Sequence, residues 1–468
     1  MADSPHVVIV GGGITGLSAA YELSKHGIRH TLIERRPRVG GVIETVQWDD
    51  CVLEAGPDSF ISQKPEALAL INEVGLGGEV IGSNDHQRVT YILRHGRLTR
   101  LPEGTTMFVP TQAGPMLRSP IVGWGTKLKM ALEFLRSPTQ LPDRSVAEFV
   151  TDHFGKEALD YLAEPLLSGV YGGDPAKLSI DSVMPRFVDM ERKYGSLGRA
   201  LVFPKSAPSQ QSSGAKADKN VKKDPLFRTL KGGLGRLTAK LAESANVVHG
   251  TVESLQQYES GYRVRVGSVS GSDVIDATHL ILACPAWSAA ELLGTIDGRL
   301  ARGMEQIPYT SSAIVTLVYN EAEFDGQRAG TGFLIPKVER KKLMACTFVG
   351  TKFPNRIPAS KLSLRCFFGG AGNDEILNES DESLVATARE ELQTLLKLTA
   401  QPIYTRVSRW PRSMAQYNVG HSERLKEIEV LAAMIPGLYL AGNAFRGIGI
   451  PDCIRTGRQA AGKIAAQS

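Results

Sequence analysis

The residues with the clearest chemical purpose stand at the start of the chain. Gly11-Gly12-Gly13-Ile14-Thr15-Gly16 has G-x-G-x-x-G spacing, directly after the apolar run Val7 to Val10 and at the opening of a helical pattern. In that setting the first glycine permits a tight turn, the second lets a pyrophosphate approach the backbone, and the third lets helix and strand pack closely. The helix N-terminus then faces the phosphate charge. A second apolar strand, Thr31-Leu32-Ile33, ends in Glu34, at the distance where a carboxylate accepts hydrogen bonds from the ribose hydroxyls of an adenosine. Strand, glycines, helix, strand and acid in this order predict an adenosine-diphosphate site.

Other chemistries lack a comparable pattern. The nine histidines have no ligand spacing, so no metal site is expected. Cys51, Cys284, Cys346, Cys366 and Cys453 form no C-x-x-C pair and read as reduced structural thiols of a cytosolic protein. The residues before Val7 carry no basic segment followed by an apolar core, and no apolar run approaches the ~20 residues of a membrane span. A cytoplasmic protein is expected, with membrane contact, if any, peripheral on the inner face. The 468 residues allow about three domains, and 42% hydrophobic content supplies sizeable cores.

The net charge of +5 is unevenly placed. Arg88, Arg94, Arg97, Arg100, Arg118, Lys127, Lys129 and Arg136 face only Glu103 and Glu133 in their segment, a larger excess than that of the whole chain. Such a cluster is either a solvated face or a site for an anionic substrate or lipid surface. Nucleic acid is not expected, because no finger, helix-turn-helix or RNP-like pattern accompanies the charge.

The elements that must position these residues follow from periodicity. Ala67, Ile71 and Val74 predict a helix across 64–76 with one buried face. His95-Gly96 predicts a turn between strands around 89–102. Across 126–138, Leu128, Ala131, Leu132 and Leu135 lie on one side of a helix and Lys129, Glu133 and Arg136 on the other. The apolar side is expected to pack inward, with a membrane-surface helix as the alternative. Ser145 to Glu148 reads as a capping box. Residues 206–224 are poor in apolar side chains and read as a flexible exposed loop. Strands are expected around 247–266, 278–283, 311–319 and 363–368, and a helix across 382–398. The C-terminal part returns to the first theme with a strand, a glycine loop and a helix from Pro451 that carries Gly457, Ala460 and Ala461 on a close-packing face.

With these stretches in view, the chain resembles the FAD-dependent, oxygen-dependent protoporphyrinogen oxidase family, especially its bacterial branch, which includes coproporphyrinogen III-oxidising enzymes. The segments that carry the resemblance are Glu34 to Gly41 (ERRPRVGG), Glu54 to Phe60 (EAGPDSF), Ser168 to Ile180 (SGVYGGDPAKLSI) and Tyr439 to Ala461. The implied fold is of mixed α/β and α+β class. A Rossmann-like FAD-binding domain of the two-domain, amine-oxidase type (1–62, 225–290, 406–468) is joined to a β-sheet substrate domain (63–93, 200–224, 291–405). A helical subdomain (94–199), membrane-associating in some members, completes it.

The resemblance implies non-covalent FAD. The residues it assigns to the cofactor, beyond Gly11 to Gly16 and Glu34, are Arg35, Arg38, Gly41, Val42, Gly56, Pro57, Asp58, Ser59, Val252, Trp410, Gly442, Ile448, Gly449 and Ile450. On the substrate side, the carbonyl of Gly169 is expected to meet pyrrole N–H groups, and Leu334 and Phe367 to flank the rings. Eukaryotic members have an arginine before a Tyr-Ile pair. Thr90 precedes Tyr91-Ile92 here, and Arg88, read as lying on the same strand face, becomes the candidate for a substrate propionate. Asp58 also replaces a residue often basic in those members, so the mouth of the site is expected to read substrate carboxylates differently.

The implied reaction removes six electrons from protoporphyrinogen IX or coproporphyrinogen III in three flavin turnovers, a step of haem biosynthesis. The flavin carries the chemistry, so no catalytic side chain is expected. Because no second G-x-G-x-x-G follows Gly16, dioxygen is the expected acceptor, giving hydrogen peroxide. The rivals are a flavin amine oxidase or carotenoid-desaturase-like enzyme on the same fold, and a flavin-free, Rab-escort-like binding protein. Monomer and homodimer are both compatible with the sequence.

Overall fold

The computed structural model describes residues 5–202, 224–259, 261–268, 271–324, 326 and 330–467. Of the expected loop 206–224, all but Asp224 lies outside these residues. Two sheets and a helical layer organise the molecule.

The first sheet is five parallel strands in the order Val247–His249, Arg29–Glu34, His6–Val10, His279–Leu282, Leu438–Leu440. Its central strand is a nearly continuous buried run because both faces are covered, as parallel sheets require. One face packs on helices Ile14–Lys25, Glu66–Glu73, Gly235–Ala242 and Ile450–Ala465. The other packs on helices Ala286–Leu293 and Gly298–Glu305 and on a three-stranded sheet containing Tyr262, Val264 and Val266. The expected close-packing face of the C-terminal helix is realised: a Cβ on Gly457 would stand 2.2 Å from the Thr15 carbonyl oxygen of the first helix. The two ends of the chain thus build one layer.

The second sheet has seven strands in the order Tyr404–Ala415, Tyr309–Asn320, Lys361–Gly369, Ala345–Phe348, Gly332–Leu334, Thr90–Arg94, Arg97–Arg100. Phe333, Cys346, Cys366, Phe368, Ala313 and Val315 pack from one face toward helix Asp381–Leu396. This sheet reaches past the boundaries expected at 93 and 405, since Arg97–Arg100 and Tyr404–Ala415 are both paired into it.

A helical layer from Ala113 to Val202 closes around Phe108, Phe149, Phe154 and Phe187. Ser145 caps its helix Val146–Phe154 with both halves of the capping box in place. One expectation is reversed here. In helix Trp124–Glu133 the inward residues are Met130 and Glu133, while Trp124, Leu128 and Leu132, with Leu135 just beyond, are exposed by 73, 62, 55 and 77%. The reason is a buried hydrogen-bond set. Glu133 accepts from His153 Nδ1 (3.0 Å), Ser196 Oγ (2.8 Å) and the Leu197 and Gly198 N–H groups (2.6 and 3.2 Å), and a carboxylate so satisfied outweighs an apolar stripe.

Candidate active site

The glycine loop sits at the carboxyl end of the central strand, where ligands of open parallel sheets bind. Gly11 has φ of 109°, and a Cβ there would lie 2.8 Å from the Ala283 carbonyl oxygen. A Cβ on Gly16 would lie 2.0 Å from the Gly11 carbonyl oxygen, which enforces the close helix–strand contact. Gly13 is different. Nothing stands within 4 Å of its would-be Cβ, and as N-cap of helix Ile14–Lys25 it offers no side-chain cap, leaving the helix's first N–H groups for another acceptor. Gly40 N–H bonds the Gly12 carbonyl at 2.7 Å and brings Gly41 against Gly13.

Glu34 is buried at the end of the neighbouring strand. One oxygen accepts from Gly12 N–H (2.8 Å) and the other from Arg36 N–H (2.9 Å), which fixes the carboxylate while each oxygen keeps a second lone pair for a hydroxyl. Val252 lies beside this strand end, where Gly250 N–H bonds the Glu34 carbonyl. Open space at a bare helix N-terminus, beside a fixed carboxylate, fits the diphosphate and ribose of a dinucleotide such as FAD.

Several of the remaining residues that the resemblance assigns to the cofactor are fixed by contacts of their own. Arg35 is exposed, its guanidinium 5.8 Å from the Trp287 ring. Arg38 ties its own loop, donating to the carbonyls of Gly41 and Ile43 and pairing with Glu44 at 2.9 Å. Gly56 packs against Val42 so closely that a Cβ would meet the Val42 carbonyl oxygen at 1.8 Å. Trp410 donates from Nε1 to the Ala55 carbonyl (2.8 Å), just before Gly56 and Pro57. Gly449 is the N-cap of helix Ile450–Ala465, again without a side-chain cap. The closing loop from Gly442 is held by two tyrosines. Tyr309 donates to Asn443 Oδ1 (3.3 Å), while Tyr417 donates to the Asn443 carbonyl (2.8 Å) and accepts from Gly447 N–H (2.8 Å). Ile448 lies in that loop, and Lys64 reaches the first turn of its helix through Asp452 at 2.5 Å.

The residues expected on the substrate side come together on the sheet face opposite the helix Asp381–Leu396. Ile314 pairs with Phe367, Phe367 with Ala345, Ala345 with Leu334 and Leu334 with Ile92, a continuous cross-strand row whose side chains share one face. Gly169, on helix Glu164–Tyr171, meets this row: a Cβ on it would lie 3.5 Å from Leu334 Cδ2. The turn that follows docks on the same sheet through Gln416 Nε2, which donates to the Tyr171 carbonyl (2.8 Å) and Thr310 Oγ1 (3.0 Å).

Two expectations about charge are corrected. Arg88 is exposed in the turn before the strand, which begins only at Thr90, so it does not share a strand face with the Tyr91-Ile92 pair. Asp58 is not an open reader of substrate charge. Lys352 Nζ holds both its oxygens at 2.9 Å and Arg365 Nη1 lies 3.2 Å away. Burial alone would raise its pKa, but Lys352 and Arg365 outweigh that and hold the carboxyl well below the usual range. Sequence spacing carried no signal for these partners, which lie about three hundred residues away. Much of the basic segment is likewise compensated: Arg94 pairs with Glu157 (2.7 Å), Arg136 with Asp152 (2.6 Å) and Arg100 with Glu103 (2.7 Å). Asp152, His153 and Glu191 have metal-like proximity, yet both His153 nitrogens are taken, by Glu133 and by Glu191 (3.0 Å each).

The model of the flavin-containing amine oxidoreductase family matches residues 14–465, nearly the whole chain. The chain belongs to that family. Among its relatives in the family, coproporphyrinogen III oxidase of Bacillus subtilis (strain 168) is 35% identical over 467 residues, 97% of each chain. The mitochondrial protoporphyrinogen oxidase of Nicotiana tabacum is 25% identical, over 98% of this chain and 94% of its own. A crystal structure of a putative protoporphyrinogen oxidase from Exiguobacterium sp. 255-15 superposes over both whole chains with a TM-score of 0.86 at 29% identity. A putrescine oxidase reaches 0.72 at 19% identity, a likeness of fold. FAD is thus the cofactor of this flavoprotein fold, consistent with the space beside Gly13 and Glu34.

Proposed function

We infer that the chain is an FAD-dependent porphyrinogen oxidase of haem biosynthesis, acting on coproporphyrinogen III or protoporphyrinogen IX. The observation that carries this reading is the near end-to-end similarity to porphyrinogen oxidases in a chain whose Gly169, Leu334 and Phe367 meet on one apolar wall. Bound FAD supplies two-electron oxidation, and six electrons separate a porphyrinogen from its porphyrin.

The chain's own residues supply placement. Gly13 and the uncapped helix start receive the diphosphate, and Glu34 receives the ribose. Gly41, Val42, Gly56 to Ser59, Trp410 and the loop Gly442 to Ile450 line the flavin. Leu334 and Phe367 present flat apolar surface to a macrocycle, and the Gly169 carbonyl accepts from pyrrole N–H groups. Protons leave through those N–H groups, so no paired-carboxylate or triad apparatus is needed. Dioxygen is the terminal acceptor in this reading. The FAD layer comprises 1–62, 225–290 and 416–468, the strand Tyr404–Ala415 belonging to the seven-stranded sheet. Arg88, exposed in the turn before Thr90, is the candidate for a substrate propionate.

The outward stripe Trp124, Leu128, Leu132 and Leu135, flanked by Arg118, Lys127 and Lys129, supports peripheral contact with an anionic membrane. Among the described residues no helix is long and apolar enough to cross one. Under air, the purified protein is expected to turn coproporphyrinogen III into a fluorescent porphyrin. Turnover of simple amines with no porphyrin formed would replace this reading by the amine oxidase one.

A further inference from the structure

The loop Ala55 to Ser59 is held from across the molecule. Trp410 donates to the Ala55 carbonyl, Arg365 Nη2 to the Gly56 carbonyl, and Lys352 to both Asp58 oxygens and, at 3.4 Å, to Ser59 Oγ. Ser59 Oγ in turn donates to Asp58 at 2.6 Å. Trp410 and Arg365 lie on strands of the seven-stranded sheet, and Lys352 ends the short helix Val349–Lys352 that follows another. Arg365 is two residues from Phe367 on the same strand face, its guanidinium 5.1 Å from that ring.

The Lys352 donors are already committed. Lys352 has three N–H groups and three acceptors, and its ammonium is boxed by the Phe227 and Phe353 rings at 5.0 and 5.3 Å. The Arg365 side chain is 3% exposed. A substrate carboxylate would have to displace Asp58 or Ser59 to reach Lys352, whose bonding capacity is spent on the loop. Arg365 gives Nη1 and Nη2 to the same loop, and its buried Nε has no hydrogen-bond partner among the described residues.

We propose that Lys352 and Arg365 are positioning residues, which clamp the loop Gly56 to Ser59 to the Phe367 wall and so fix the spacing between flavin and porphyrinogen. This rests on the reading of that loop as flavin-side and of the substrate as a porphyrinogen. Transfer between two bound partners falls steeply with misplacement, so loosening the clamp slows the chemical step while leaving binding of each partner close to normal.

The test is anaerobic single turnover of the FAD-loaded protein with coproporphyrinogen III, following bleaching of the visible flavin band across substrate concentrations. Lys352→Met is expected to lower the limiting rate about 10 to 100-fold. Its apparent substrate dissociation constant should stay within about threefold, and its FAD content near that of the parent. Lys352→Arg should recover most of the rate. Asp58→Asn should slow it as Lys352→Met does, and the double variant no more than either alone, because one clamp is lost in all three. Should Lys352→Met fail to fold, Asp58→Asn and Lys352→Gln make the same comparison. An unchanged limiting rate in flavin-loaded variants overturns the proposal. So does weakened substrate binding at an unchanged limiting rate, which would make Lys352 a carboxylate ligand. If the parent protein, yellow with FAD, is not bleached by a porphyrinogen, the substrate reading fails instead.

Discussion

At the scale of single residues, glycines with opposite surroundings separate cofactor binding from folding. Gly13→Val puts its side chain into open space, so thermal stability should stay near that of the FAD-stripped parent while the purified protein loses its yellow FAD. Gly16→Val drives a side chain into the Gly11 carbonyl and should destabilise the fold itself. Visible absorbance and a melting curve on each variant distinguish the two. A fully flavinylated Gly13→Val protein would contradict the assigned diphosphate position. Arg88 belongs to the same scale. As an exposed charge it is worth at most about 1 kcal/mol, so Arg88→Ala should raise KM no more than about fivefold. A larger rise would bring Arg88 into the bound complex. Glu34 and the glycines were legible because their spacing is local. Lys352 and Arg365 were not, because only tertiary contact gives them Asp58 as a partner.

At the scale of elements, the helix Trp124–Glu133 shows where periodicity misleads. Its pattern was correctly amphipathic, but the polar residue Glu133 found a fully bonded buried place and the leucines went outward. A sequence pattern cannot say which face wins when a carboxylate has four donors waiting elsewhere in the chain. The pin has a pH signature. Burial opposes the charge on His153, but its bonds to Glu133 and Glu191 prevail and raise its pKa above 6.5. Burial likewise opposes the Glu133 and Glu191 carboxylates, and His153 with their other partners prevails and lowers theirs. The histidine's contribution is full below its unfolded pKa and is lost as pH rises through the raised folded value. Those of the carboxylates are present above their unfolded pKa and are lost as pH falls through the lowered folded values. The stability of this layer should therefore peak in the mildly acidic range. Arg144, Arg136 and Asp152 extend the network and add to it only modestly near the surface. His153→Gln should cost about 3–5 kcal/mol and flatten the alkaline limb of a Tm against pH curve. The outward leucines make the complementary case. Leu128→Ser with Leu132→Ser should leave Tm within a few degrees and abolish binding to vesicles rich in anionic lipid. Equal vesicle binding by both proteins would remove the membrane reading.

At the scale of the whole molecule, the chain begins and ends in one layer, the nucleotide sheet, and sends its middle out to build the substrate wall and the helical layer. That return was readable from the two strand–glycine–helix patterns at the termini. The seven-stranded sheet was readable only in pieces, since Thr90–Arg94 pairs in parallel with Gly332–Leu334 far along the chain and no local signal announces it. In the proposed function no single segment holds both partners: the residues proposed for FAD lie mostly with the termini, and the proposed porphyrinogen wall with the middle. Porphyrinogen oxidation by these two halves is checked by mixing the purified protein with coproporphyrinogen III and, in parallel, protoporphyrinogen IX under air and without air. Porphyrin fluorescence and peroxide are expected under air, and without air a bleached flavin with no more than about one porphyrin per three flavins. A yellow protein whose flavin is untouched by either porphyrinogen would contradict that reading.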